Sequence, residues 1–69
     1  MTLKEYIKLN TIHKSITLLI LAKGDKCISV TYEKKEFKDI SKELLNYVVE
    51  EVDEEDDTIQ IWLRKEMNK

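Results

Sequence analysis

Ser15-Ile16-Thr17-Leu18-Leu19-Ile20-Leu21-Ala22 is the stretch on which the fold turns. In an extended chain successive side chains point to opposite faces. Here both alternations are apolar: Ile16, Leu18, Ile20 and Ala22 on one, Leu19 and Leu21 on the other. A strand with two apolar faces belongs in the middle of a sheet with cover on both sides.

Reading C-terminally, Lys23-Gly24-Asp25-Lys26 carries a hairpin signal, with glycine supplying the positive φ of a two-residue turn at Gly24-Asp25. Cys27 to Glu33 returns as a second strand, with Ile28, Val30 and Tyr32 alternating against Ser29, Thr31 and Glu33. Counting outward from the turn sets Ala22 against Cys27, Leu21 against Ile28, Leu19 against Val30 and Thr17 against Tyr32. Paired residues share a face, so this register gathers Leu19, Leu21, Ile28, Val30 and Tyr32 on one side.

From Asp39 to Val52, apolar residues recur every four positions at Ile40, Leu44, Val48 and Val52, flanked by Leu45 and Val49. That period predicts one long helix, capped by Asp39 or Ser41 and closed over by Phe37. Thr58 to Arg64 reads as a third strand, with Ile59, Ile61 and Leu63 on one face and Thr58, Gln60, Trp62 and Arg64 on the other. Upstream of the decisive stretch, Thr2 and Glu5 are spaced for a capping box on a short helix to Leu9. Its face of Leu3, Tyr6 and Ile7 is suited to covering Ile16, Leu18 and Ile20. Lys65 to Lys69 is polar and reads as a frayed end.

The expected fold is therefore α+β in one domain, 1–69. A short N-terminal helix precedes β-β-α-β. The three-stranded antiparallel sheet has the order 2-1-3, with the long helix on one face. At 69 residues the chain has room for a single core.

Composition narrows the function classes. The longest apolar run, Leu18 to Ala22, is far short of the ~20 residues a membrane helix needs. The charged start Met1-Thr2-Leu3-Lys4-Glu5 is unlike a secretory leader. With the lone Cys27, this predicts a soluble protein of a reducing cytoplasm, with Cys27 half-buried. One cysteine and one histidine cannot build a structural zinc site. Gly24, the only glycine, rules out a Gly-rich phosphate loop. His13 has no nucleophile motif beside it and reads as a loop residue facing solvent. The expectation is a protein without catalysis, cofactor or metal.

Charge is distributed unevenly. Residues 1–49 carry nine lysines and six acids, and residues 58–69 three bases and one acid. Between them, Glu50-Glu51-Val52-Asp53-Glu54-Glu55-Asp56-Asp57 holds seven acids and no base. An EF-hand would need a central glycine and spaced ligands, which this run lacks. Two readings stand: a solvated connection between helix and strand, or a surface for a partner with a basic face. The second would place Glu50, Glu51, Asp53, Glu54, Glu55, Asp56 and Asp57 in the binding site. Trp62 joins them as a candidate interface anchor; packing against Ile16, Leu18 and Ile20 is its alternative. Lys34, Lys35, Lys38 and Lys42 interleave with Glu33, Glu36, Asp39 and Glu43, so direct nucleic-acid binding is not expected.

The opening Met1-Thr2-Leu3-Lys4-Glu5-Tyr6-Ile7 resembles that of many small phage and prophage proteins of low-GC Gram-positive bacteria, over the first ten residues. The resemblance implies a host-cell cytoplasmic protein. It also implies a class that includes inhibitors of host defence, such as anti-CRISPR proteins that imitate DNA. The expected function is binding to a host protein with a basic surface. The alternative is a self-associating assembly module, a homodimer through the apolar sheet face.

Overall fold

Residues 1–22 and 26–65 are described by the computed structural model of the chain. Helix α1 covers Leu3–Leu9, strand β1 Ser15–Ala22 and strand β2 Lys26–Tyr32. A 3-10 segment, Lys34–Asp39, leads to a single helical turn, α2, at Lys42–Leu45. Strands β3, Val48–Glu54, and β4, Thr58–Arg64, complete the chain. The four strands form one mixed sheet in the order β2-β1-β4-β3. β1 pairs antiparallel with β2 and parallel with β4, and β3 pairs antiparallel with β4.

Two expectations about the sheet are corrected. The three-stranded antiparallel sheet is a four-stranded mixed one, and the long helix of 39–52 is only the turn Lys42–Leu45 followed by β3. Ser41 caps that turn through its hydroxyl, 3.2 Å from the Leu44 N–H. It ends at Asn46, whose N–H donates to the Glu43 and Leu44 carbonyls. Beyond it, Tyr47, Val48, Val49 and Val52 are aromatic and β-branched, types that lose side-chain freedom in a helix and pack well on a pleated surface. Charge acts in the same direction. On a helix the acids would crowd the C-terminal end against the macrodipole; on a strand they alternate between faces and reach cations on neighbouring segments. The extra strand reverses the chain once more, which makes β4 parallel to β1, not antiparallel.

The hairpin register is also corrected. Ala22 lies opposite Lys26, Leu21 opposite Cys27, Leu18 opposite Val30 and Ile16 opposite Tyr32. Three residues rather than two separate the paired ends; the expected turn at Gly24-Asp25 lies outside the described residues, as do 66–69 of the expected frayed tail. A slip of one residue exchanges every side chain between faces. Ile16, Leu18 and Ile20 therefore share a face with Tyr32, Val30 and Ile28, while Leu19 and Leu21 sit with Ser29 and Cys27.

The core follows from that register. Leu3, Ile12, Ile16, Leu18, Ile40, Ile59, Ile61 and Leu63 are buried. Packed against them are Tyr6 and Ile7 from α1, Phe37 from the 3-10 segment, and Leu44 and Leu45 from α2. The described helical segments thus lie on one face of the sheet. Cover on both sides of β1, expected from its two apolar alternations, is present on one side only among the described residues. As expected, α1 has its Thr2–Glu5 capping box, and its Leu3 is buried in the same core cluster as Ile16 and Leu18. Its lead-in also bonds β3: Leu3 N–H donates to the Tyr47 carbonyl at 2.9 Å and Val49 N–H to the Met1 carbonyl at 2.8 Å.

Candidate functional site

The uncovered face of the sheet is assembled from alternate residues of all four strands. Cross-strand pairing places Ser29, Leu19, Trp62 and Glu51 in one row across it. Thr31, Thr17, Gln60 and Asp53 form the next row. Leu21 pairs with Cys27 at the far end of β1. The two leucines and Trp62 give this face an apolar centre: Leu19 and Trp62 are half-buried by their neighbours and Leu21 is 63% exposed. Thr17 is tied to Thr31, with hydroxyl oxygens 3.0 Å apart, and more loosely to Thr58 at 3.4 Å. Those bonds fix side chains that would otherwise rotate freely.

The acidic run divides into three parts. Glu50 is the extra residue at a register shift between Val49 and Glu51. The bulge lets Val49 and Val52, three positions apart, both lie on the covered side opposite Leu63 and Ile61. The displaced Glu50 carboxylate accepts from Arg64 Nε at 2.9 Å. Glu51 and Asp53 point to the uncovered face, beside Trp62 and Gln60. Glu54 pairs with Lys14 at 2.9 Å, and Glu55, Asp56 and Asp57 form the β3–β4 connection.

That connection is anchored through its backbone. Lys14 Nζ donates to the Glu55 carbonyl at 2.7 Å, and Ser15 Oγ donates to the Asp57 carbonyl at 3.3 Å. All seven acids are exposed. The carboxylates of Glu51, Asp53, Glu55, Asp56 and Asp57 have no partner among the described residues.

The two candidates from the sequence, Trp62 and the acidic run, therefore meet at Glu51 and Asp53. Of the two readings of Trp62, packing against Ile16, Leu18 and Ile20 is excluded, because those residues lie on the other face. Glu54, opposite Ile59, falls on the covered side and pairs with Lys14, the connection acids lie beyond the end of β3, and Glu50 is occupied by Arg64. Sequence reasoning missed Leu19 and Leu21 as partners of Trp62. The signal was their alternation with Ile16, Leu18 and Ile20, which by itself does not say which of the two sets is covered. Cys27 is exposed on this face, not half-buried.

Elsewhere, His13 is exposed and makes no hydrogen bond among the described residues. It lines a surface hollow with Lys14, Ser15, Thr31, Glu33 and Lys34. Among the described residues no three His, Cys, Asp or Glu side chains gather to hold a metal ion. No described helix is long and apolar enough to cross a membrane. Lys35, Lys38 and Lys42 are exposed on the helical segments, and Lys34, also exposed, shares the His13 hollow with Thr31 at the margin of the uncovered sheet face. No family model matches the chain, and no curated protein or solved structure matches it.

Proposed function

We propose that this chain is a binding module, without catalysis of its own, that docks its uncovered sheet face onto a basic surface of another protein. The observation carrying this reading is the adjacency of Trp62 and Leu19 to the unpaired carboxylates of Glu51 and Asp53 across β4 and β3. An apolar, aromatic centre with a charged rim is the anatomy of a protein interface. The rim selects the partner. Glu55, Asp56 and Asp57 extend the negative charge beyond the sheet, and an array of one sign speeds encounter with the opposite sign.

The exposed acids sharpen the class of partner. Glu51, Asp53, Glu55, Asp56 and Asp57, whose carboxylates have no partner among the described residues, suit a protein groove that ordinarily takes a polyanion. A host defence complex that binds nucleic acid in the cytoplasm is the setting implied by the N-terminal resemblance. Self-association through the same face is the second reading, favoured by the exposure of Leu21.

The test is affinity capture with the tagged chain, run in parallel with Trp62→Ser and with Glu51→Gln/Asp53→Asn. The expected result is a protein retained by the parent, lost by both variants, and released by salt or by added duplex DNA. If all three baits retain the same proteins, the reading is wrong. If the bait recovers only further copies of itself, the second reading replaces it.

A further inference from the structure

The sheet has two edges, and they are built differently. β3 carries Glu50, Glu51, Asp53 and Glu54, a bulge, and a bridge from Thr2 to Val48. Charge, bulges and covering segments are the means by which edge strands resist a further strand. β2, at the other edge, has no bulge and no bridge among the described residues, and its one charge is Lys26 at its first position. Its positions 27–32 are uncharged and free of proline, and its ladder to β1 runs without a register shift. Residues 26–32 make no backbone hydrogen bonds beyond that ladder among the described residues. Every second N–H and C=O along its outer side is left open. Ile28 lies on the covered side opposite Ile20, yet is 55% exposed, because the sheet ends at β2.

We propose that β2 pairs antiparallel with β2 of a second copy of this chain, about a two-fold axis through Ser29. That register alone pairs all seven residues of the strand and keeps like faces together, as a closed symmetric contact requires. It sets Ile28 against Val30 of the other copy and Cys27 against Thr31. It places no like charges opposite one another. Lys26 falls level with Tyr32 of the other copy, one residue from its Glu33. The outcome is an eight-stranded sheet bounded on both sides by the acidic β3 strands, so association stops at two.

Strand pairing about this axis keeps both uncovered faces on one side. Two Trp62 clusters then share one surface, with the β3 strands about 34 Å apart at the usual ~4.8 Å strand spacing. The inference is independent of the partner reading, since its occupant is the chain itself.

The test is sedimentation of the whole chain over a concentration series, with three variants. The parent is expected to move from its 8.2 kDa monomer mass to twice that value. Ser29→Lys, which puts two lysines at the axis of an exposed position, is expected to stay monomeric with an unchanged circular dichroism spectrum. In a Cys27→Ser background, Ser29→Cys is expected to oxidise to a folded, disulfide-linked dimer. Thr31→Cys in the same background faces the serine introduced at position 27 of the other copy and is not expected to cross-link. A parent that is monomeric throughout, a dimer that Ser29→Lys leaves intact, or equal cross-linking of the two cysteine variants would each overturn the proposal.

Discussion

Leu18 and Leu19 are neighbours in sequence on opposite faces of β1, so truncating each in turn tests the register directly. Leu18 is fully buried, in a row with Val30 and Ile61 and beneath the helical layer. Removing three carbons there leaves a cavity, and Leu18→Ala is expected to lose about 3–5 kcal/mol. Leu19 is half-buried and bordered by Ser29 and Trp62 on the face that nothing described covers. Water fills the space left by Leu19→Ala, so only part of the transfer free energy is lost, roughly 0.5–1.5 kcal/mol.

The whole domain is expected to hold only about 3–10 kcal/mol at 0.05–0.15 kcal/mol per residue. Leu18→Ala therefore removes a third of the stability or all of it. At about 4–8 °C per kcal/mol for a domain of this size, its melting temperature should fall by at least about 12 °C. At the same slope, the fall for Leu19→Ala should be at most about half as large. The assay is thermal and urea unfolding of both variants, followed by circular dichroism. Equal losses, or a larger loss for Leu19→Ala, would falsify the assignment of the covered face.

Three further outcomes are expected. Glu5 has its carboxyl held below the usual glutamate range, first by the Thr2 backbone N–H at 2.9 Å and also by the Thr2 hydroxyl and the N-terminal charge, against a smaller opposing effect of burial. A depressed folded pKa means that its stabilisation is present above the unfolded value, about 4.3, and is lost as pH falls through the folded one; urea midpoints of the parent and Glu5→Ala should differ at neutral pH and converge in acid. Deleting residues 1–9 removes the buried Leu3 and the backbone bonds to β3, so light scattering should detect aggregation of the shortened chain while the parent stays clear. Neutralising Asp53, Glu55 and Asp56 together removes repulsion without breaking an ion pair and should leave the melting temperature level or slightly raised, whereas Lys14→Met breaks the bond to Glu54 and should lower it by up to about 1 kcal/mol of stability in the same melts.

Several parts of the molecule were legible from local chemistry. The Thr2–Glu5 spacing located α1, because a capping box closes within four residues. The alternation of Ile59, Ile61 and Leu63 located β4 and set Trp62 on the other face, because strand geometry alone decides that relation. The double apolar alternation of 16–21 correctly marked β1 as a central strand. The segment 39–52 was not legible. Its four-residue apolar recurrence suits a helix, but Val48, Val49 and Val52 serve a bulged strand equally well, and only pairing with β4 selects between them. The site was half legible for the same reason. Trp62 and the acidic run stood out as residues, but nothing local joins positions 51 and 62.

By itself the sequence determined the existence of α1, β1, β2 and β4, the extent of β1 and β4, the division of β4 into an Ile59-Ile61-Leu63 face and a Trp62 face, and the seven-acid run as the chain's principal charge feature. These follow from propensities and periods that act over a few residues. The tertiary structure alone decided the conversion of 48–54 into a strand, the parallel pairing of β1 with β4, the hairpin register, and hence which face of β1 is covered. Each of these depends on contacts between residues far apart in the chain, and a strand's side-chain period of two makes the outcome all-or-none. One residue of register exchanges Leu18 for Leu19, and with them the core for the uncovered face on which Trp62, Glu51 and Asp53 stand.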